Sequence, residues 1–419
     1  MYDVVVVGAG PSGCMAAKYA AKGGASTLII EKDPEIGIPV HCAGLISKRA
    51  VEESELKEVR TFIMNRIKGA IIHSPNYDMQ LEARESAYAI MRDHFDRALA
   101  KEAMNSGVEI ITGCKVVGIK LSGGELRIQI VDTKTKGKKE EIGAKVVIGA
   151  DGVRAGVAEM AGMGVKRNLL SCVQVEGYYD SEGVYAEIFA SREIAPGFFA
   201  WAIPLDDRIA RIGLCVDKRV SSPHSTPLAF LKRFLLHEPH MAKRYRGSYY
   251  RYTGGVIPIA AGLKPQKTVK IVKDIGKGKG RGKGILLVGD AAAQVKPISG
   301  GGVYYGLRCG KIAGEVAAEA ASTGDMQLLK HYERRWHREI GKEIAFGIWV
   351  HRLRCVLGDD DLDRIFRALG RERRRVEEKG DMDYPSLILR EFIKEPEFIK
   401  LAVKNIIRYM YIYGRWSKY

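Results

Sequence analysis

The chain has 419 residues, enough for two or three domains and a sizeable core. Hydrophobic residues make up 46%, as in a globular protein, and no apolar run is long enough for a membrane-spanning helix. The formal net charge of +17 calls for anionic partners or solvated basic loops, while seven dispersed cysteines without a CxxC pair point to a reducing cytoplasm and no zinc site.

Tyr2 to Val7 is apolar and β-branched, which predicts a strand buried on both faces of a parallel sheet. Because this first apolar segment is already a central strand, no signal peptide is visible. Gly8-Ala9-Gly10-Pro11-Ser12-Gly13 follows, and Cys14 to Lys22 reads as an Ala-rich helix. Gly8 permits a tight turn, Gly10 lets backbone approach a pyrophosphate, and Gly13 lets helix pack on strand. The helix N-terminus, with Ser12 in its first turn, suits a diphosphate. A second apolar run, Ser26 to Ile30, ends in Glu31, eighteen residues beyond Gly13. An acid there accepts both hydroxyls of an adenosine ribose and repels a 2′-phosphate.

Pro39 to Leu45 forms a long loop of the kind that lies over a cofactor. Cys42 in it is either a soft contact to a redox ring or a buried structural thiol, and His41 is either a proton donor or a satisfied loop residue. Short strands are expected over 66–90. A helix starts at Arg92, which can pair with Asp96 one turn on or reach a pyrophosphate. Cys114 to Ile119 reads as a strand whose backbone at Val116 could bond adenine. Leu126 to Val131 and Lys139 to Ile142 fit a hairpin around a charged loop, and Lys145 to Ile148 a further strand ending in the turn Gly149-Ala150-Asp151-Gly152.

Residues 165–275 alternate in a β-rich pattern with one helix near Pro227 to Leu236. Within it, Phe199, Trp201 and Ile203 share one face of a strand, either an aromatic wall for an apolar substrate or a sheet face packed on the core. Gly276 to Gly284 fails the GxxxxGK[ST] spacing and reads as an exposed turn. The strand Ile285 to Val288 then leads into Gly289-Asp290, where Asp290 can accept hydrogen bonds from ribityl hydroxyls. After it come Lys296, which either acts on substrate or, the favoured reading, is solvated, and Gly300, Gly301, Gly302 and Val303 at a helix start. The triplet's N–H groups can cradle a flavin's pyrimidine edge. From about residue 325 the chain is helical. Trp336, Ile340, Ile344 and Ile348 form one apolar stripe, and Ile399, Ala402, Val403, Ile406, Ile407 and Met410 another. Tyr409, Tyr411, Tyr413 and Trp416, mixed with Arg408, Arg415 and Lys418, suit either a membrane interface or a domain-capping helix.

Two separated glycine signatures, each after an apolar strand, indicate FAD held at both ends by a discontinuous domain. The expected class is α/β, with a Rossmann-like FAD-binding domain over 1–65, 91–163 and 284–325. A β-sheet substrate domain covers 66–90 and 164–283, and a helical C-terminal region 326–419.

With these residues assembled, the chain resembles the geranylgeranyl reductase family of flavoproteins, the archaeal lipid reductases in particular. The specific parts are Pro39 to Gly44, Arg92 to Leu99, and Gly289-Asp290 with its glycine triplet, over roughly residues 1–330. The family's aromatic pattern YxWxFP is altered, since Phe199 replaces Tyr and Ile203 replaces Phe. Flavin halogenases carry a similar WxWxIP. The resemblance implies FAD contacts at Ser12, Glu31, Cys42, Ala43, Leu45, Arg92, Val116, Asp290, Gly302 and Val303. It implies saturation of isolated alkenes in lipid-linked isoprenoid chains by hydride from reduced flavin. Only one dinucleotide fingerprint is present, so electrons would come from a small redox protein, a deazaflavin or a transiently bound nicotinamide. Basic clusters at Lys134 to Lys139, Lys273 to Lys283 and Arg371 to Arg375 lack interleaved aromatics, which argues against nucleic acid. A cytoplasmic enzyme with peripheral contact at the inner membrane face is expected. The competing activity on the same fold is a flavin monooxygenase or halogenase.

Overall fold

The computed structural model describes residues 1–122, 125–135, 137, 139–221, 226–262, 266–273, 282–401 and 403–405. Strand β1 (Tyr2–Val7), helix α1 (Pro11–Lys22) and strand β2 (Thr27–Ile30) open the chain as a βαβ unit. β3 (Leu45–Ser47) and α2 (Lys48–Ser54) follow a long loop, and β4 (Ile63–Ser74) and β5 (Tyr77–Ile90) form a hairpin. Then come α3 (Arg92–Asn105), β6 (Glu109–Ile111), β7 (Cys114–Ser122), β8 (Glu125–Asp132), β9 (Glu140–Gly149) and α4 (Gly156–Met160). The middle of the chain holds β10 (Arg167–Tyr179), β11 (Tyr185–Phe189), β12 (Ala200–Pro204), β13 (Ile209–Asp217), α5 (Pro227–His237), α6 (Pro239–Arg244) and β14 (Tyr245–Ala260). β15 (Val269–Lys273), β16 (Gly282–Leu287) and α7 (Val303–Thr323) precede α8 (Lys330–Trp336), a π turn at His337–Gly341 and α9 (Lys342–Val356). The described tail holds α10 (Asp359–Arg371), α11 (Arg373–Lys379) and α12 (Ser386–Phe392).

Two eight-stranded sheets organise these elements among the described residues. The first runs β15-β16-β9-β1-β2-β6, with β7 and β8 paired beside β9. β1 lies between β9 and β2, parallel to both. Val4 and Val6 enter the core on one face and Val5 and Val7 on the other, which is why β1 reads as an unbroken apolar run. The second sheet runs β14-β10-β13-β12-β11-β4-β5-β3.

Several local expectations change. The short strands over 66–90 are two long ones, paired from Ile63↔Ile90 to Ser74↔Tyr77 and bent by bulges at Ile63–Asn65 and Ile67–Gly69. The strands expected at 139–142 and 145–148 are one, β9, whose first half pairs antiparallel with β8 and whose second half pairs parallel with β1 and β16. The single helix near 227–236 is followed by a second, because Glu238 caps Met241 N–H and Pro239 starts a new first turn. The dispersed cysteines do not all stay free: Cys172 and Cys215, opposite each other on β10 and β13, form a disulfide. Their partnership is set by strand register across 43 residues of chain, which spacing cannot reveal. Arg371, Arg373 and Arg375 pair with Glu397, Glu377 and Glu391, so this basic cluster is a solvated, ion-paired helix face rather than a loop. Trp336, Ile340, Ile344 and Ile348 are all in the core. Of the exposed turn expected over Gly276 to Gly284, residues 276–281 lie outside the described residues, whereas Gly282 to Gly284 are not a turn but the start of β16, paired with β15. The aromatic end from Ile406 onward, including Tyr409, Tyr411, Tyr413 and Trp416, also lies outside the described residues.

Candidate functional site

The site is built first by the turn after β1. Gly8 has φ of +106°, and a Cβ there would sit 2.5 Å from the Ala150 carbonyl oxygen. Gly13 lets α1 approach β1, since its Cβ would lie 2.0 Å from the Gly8 carbonyl oxygen. Gly10 differs, having an ordinary φ of −74° and nothing within 4 Å of its Cβ position. It caps α1 without a side-chain bond, so the helix's first N–H groups lack intrahelical acceptors and carry the positive dipole end. Glu31, at the end of β2, accepts from Ala9 N–H at 2.7 Å and Asp33 N–H at 2.9 Å.

The loop over this turn is clamped from the second sheet. Buried Arg211 on β13 donates to the carbonyls of Ala43 at 3.0 Å and Ile90 at 2.7 Å, and pairs with Glu176 at 3.1 Å. A Cβ at Gly44 would lie 2.2 Å from the Arg211 guanidinium, so glycine there is what admits the clamp. Cys42 Sγ accepts Gly44 N–H at 3.3 Å. His41 is exposed, with Nδ1 2.8 Å from the Gly254 carbonyl oxygen on β14. Arg92 pairs with Asp96 at 3.1 Å, the first of its expected placements, and it also lines the cavity.

Asp290 sits in the turn after β16, with Oδ1 3.2 Å from the Cβ position of Gly302. Burial pushes its carboxyl above the usual range, against the opposing pull of Arg92 and Arg167. Lys296 is not solvated. It is 4% exposed, and Nζ donates to Asp383 Oδ1 at 2.9 Å and the Met382 carbonyl at 2.8 Å. A lysine in a loop reads as solvated because the partner that buries it lies 87 residues downstream.

Trp201 on β12 lies against Gly213 of β13, whose Cβ would be 2.7 Å from the indole, and its Nε1 donates to Gln174 at 3.0 Å. Phe198 and Phe199 stack at 4.4 Å, Phe199 and Trp201 meet edge to face at 6.2 Å, and the Cys172–Cys215 disulfide lies on the same wall.

One cavity of about 1120 Å³ joins these parts. It is lined by Gly8, Gly10, Ser12, Glu31, His41, Cys42, Ala43, Leu45, Arg92, Val116, Asp290, Gly300, Gly301, Gly302 and Val303. Phe199, Trp201 and Ile203 line it too, whereas Gly13 stands behind the wall. Small-ligand sites usually span roughly 300–1,000 Å³, so this space has room for a dinucleotide and a further ligand. It is also lined by Ile67, Ala70 and Ile72 of β4, Leu81 of β5, Ala186 and Ile188 of β11 and Met382 and Ile388 of the tail, with Glu82, Arg84 and Glu85 of β5 among them. Of these walls, Trp201 is singled out in the sequence, and the residues of β4, β5, β11 and the tail are not. On the strands these are ordinary residues, and only the pairing of β4 with β5 and β11 brings them together.

Residues 3–168 match the FAD dependent oxidoreductase family, and residues 168–253 the geranylgeranyl reductase catalytic domain. A curated digeranylgeranylglycerophospholipid reductase of Methanocaldococcus jannaschii is 32% identical over 414 residues, covering 96% of this chain and 97% of its own. Another of that name, from Methanothrix thermoacetophila, is 33% identical over 383 residues, covering 88% of this chain and 92% of its own. The crystal structure of a geranylgeranyl bacteriochlorophyll reductase-like protein from Thermoplasma acidophilum superposes with a TM-score of 0.78 at 26% identity, over 98% of this chain and 97% of that one. A flavin-dependent brominase shares the fold, with a TM-score of 0.63 at 18% identity over 88% of this chain and 93% of its own. The first of these relatives aligns through the helical tail, beyond the motifs that carry the resemblance in sequence.

Proposed function

The chain belongs to the digeranylgeranylglycerophospholipid reductase family, and from that membership we propose how its own residues saturate geranylgeranyl chains. It is an FAD-dependent oxidoreductase acting on C=C bonds of archaeal-type ether lipid precursors. One observation carries the assignment of the site: a single cavity runs from the uncapped N-terminus of α1 to an apolar tunnel along the second sheet.

The residues present fit FAD. Gly10 leaves open space where a diphosphate would lie, and α1 offers free N–H groups beside it. Arg92 would add a cation beside it, Glu31 at the end of β2 would accept the adenosine ribose hydroxyls, and Val116 would hold the adenine, all three lining the cavity. Asp290 would accept hydrogen bonds from the ribityl hydroxyls, and the Gly300 to Val303 segment would hold the pyrimidine edge. Cys42, Ala43 and Leu45 cover the ring, held in place by Arg211. When bound and reduced, FAD supplies the hydride from N5 that adds to one alkene carbon.

An unactivated alkene offers no carbonyl to polarise, so alignment and exclusion of water supply much of the help. Phe199, Trp201 and Ile203 orient the chain over the ring, and the tunnel from Ile67 to Ile188 holds its remainder. The proton for the second carbon comes from the loop. Cys42 is the better placed, being half-buried on the cavity wall, whereas His41 is exposed and tied to β14. Electrons arrive from an external donor, a small redox protein, a deazaflavin or a nicotinamide. The net charge of +17 favours peripheral contact with anionic membrane as the route to the lipid. No described helix is long and apolar enough to cross a membrane.

The test is anaerobic. FAD-loaded protein is reduced with dithionite, geranylgeranyl glycerol phosphate lipid is added under argon, and the lipid is followed by mass spectrometry. Gains of two hydrogens per step with flavin reoxidation are expected, and Cys42→Ser should slow them while keeping FAD bound. A fixed lipid mass, with flavin reoxidised only when air enters, would overturn the reading in favour of an oxygen-using enzyme.

A further inference from the structure

Lys296 and Asp383 are a buried ion pair that the reduction itself does not employ. Their exposures are 4% and 2%. Taking two charges out of water costs several kcal/mol per ion, so such a pair is weak evidence for stability and needs another reason. Its position supplies one. The stem of Lys296 crosses beneath the glycine triplet: a Cβ at Gly301 would lie 2.7 Å from Lys296 Cε and 3.1 Å from Nζ. The lysine backbone is tied to the same triplet, donating to the Gly301 carbonyl at 3.0 Å and accepting Gly300 N–H at 2.8 Å. The ammonium is therefore fixed against the backbone that faces the cavity.

The anion is fixed as firmly, from the other side. Asp381 accepts Arg49 at 3.0 and 2.9 Å and the N–H groups of Asp383 and Tyr384 at 2.8 and 3.1 Å. Tyr305 Oη, on α7, donates to the Asp383 carbonyl at 2.9 Å. Arg49 lies 3.5 Å from Asp383 Oδ2. Two cations and two carboxylates thus hold the segment 381–384 against the glycine triplet and the start of α7.

We propose that Lys296, balanced by Asp383, is a positioning pair that sets the charge beneath the glycine triplet and so tunes how readily the bound flavin accepts electrons. The inference rests on the assignment of the triplet to the flavin's pyrimidine edge, where negative charge collects on reduction. A cation below that edge favours the reduced form, and a carboxylate beside the cation tempers it. Low local dielectric makes both effects larger than in water.

The signs make the test. The midpoint potential of the bound flavin is measured by anaerobic spectroscopic titration in the wild type and in Lys296→Met, Lys296→Arg and Asp383→Asn. Lys296→Met removes the cation and leaves Asp383, so the potential should fall. Asp383→Asn leaves the cation untempered, so it should rise, and Lys296→Arg should stay near the wild type. A pair serving only as a strut would shift both variants the same way or neither, and either result with FAD bound overturns the proposal. If Asp383→Asn fails to fold, the contrast of Lys296→Met with Lys296→Arg decides, because only one of them loses the charge. If wild-type protein takes up no FAD, it is the cofactor reading that fails instead.

Discussion

Gly8 and Gly10 stand two residues apart and are needed for different physical reasons. Gly8 has a positive φ and backbone 2.5 Å from its Cβ position, so Gly8→Ala strains the turn and clashes with atoms that cannot move aside. A loss of about 2–4 kcal/mol is expected in denaturant unfolding of the apoprotein. Gly10 has ordinary dihedrals and open space around it, so Gly10→Ala should change apoprotein stability by no more than about 1 kcal/mol. Its methyl group would project where the diphosphate lies. FAD titration followed by flavin fluorescence should show a clear loss of affinity in this well-folded variant. Wild-type affinity would place the diphosphate elsewhere. This turn is legible because strand, glycines, helix N-terminus and acid are all local and read together. Arg211 was not legible: nothing near β13 in sequence announces that its guanidinium clamps a loop 168 residues away.

The same division between local and distant holds for whole elements. The sequence shows α7 as a small-residue helix but not what the small residues are for. Gly310 and Gly314 lie one turn apart and face α1, where Cβ atoms would sit 2.4 Å from the Ser12 carbonyl oxygen and 2.2 Å from that of Ala16. The two helices meet backbone to backbone, and this seam holds α1, with its cofactor-facing end, in place. Gly314→Ala sets two effects against each other. Alanine favours a helix interior by about 1 kcal/mol over glycine. Overpacking costs about 1–3 kcal/mol where side chains can yield, and here the obstacle is backbone. The clash should win, giving a net loss of about 1–3 kcal/mol in urea unfolding together with weaker FAD retention; a stabilised variant would show that the seam has slack. The stripe Trp336, Ile340, Ile344 and Ile348 shows how an element absorbs a misfit in its pattern. Steps of four overshoot a 3.6-residue turn by about 40° each. The π turn at His337–Gly341 adds a residue to the ladder and keeps the stripe facing the core.

At the scale of the molecule, the tail returns to the site that residues from Gly8 to Val303 build. Segment 381–384 touches Arg49 of α2 and Lys296 before α7, contacts of 332 and 87 residues' separation. Such closure depends on the packing of all the intervening elements, so the fold class could be read from the sequence but the far wall of the cavity could not. The same packing leaves an apolar face outward. Ile399 and Val403 are 50% and 63% exposed, while Leu401 between them is buried. Lys400 is exposed beside them, in a chain of formal charge +17. An exposed apolar face on a chain of net positive charge suits an anionic membrane, which is where a lipid substrate with two isoprenoid chains resides. Each basic residue near such a surface contributes about 1 kcal/mol, within a Debye length of roughly 8–10 Å at physiological salt. The protein should therefore co-sediment with vesicles containing anionic lipid and not with neutral ones, and raising the salt toward 1 M should release most of it. The paired substitution Ile399→Asp and Val403→Asp should lower the bound fraction at moderate salt without altering FAD content, because neither side chain lines the cavity. Binding indifferent to salt and to both substitutions would locate the membrane contact, or the means of lipid delivery, elsewhere on the molecule.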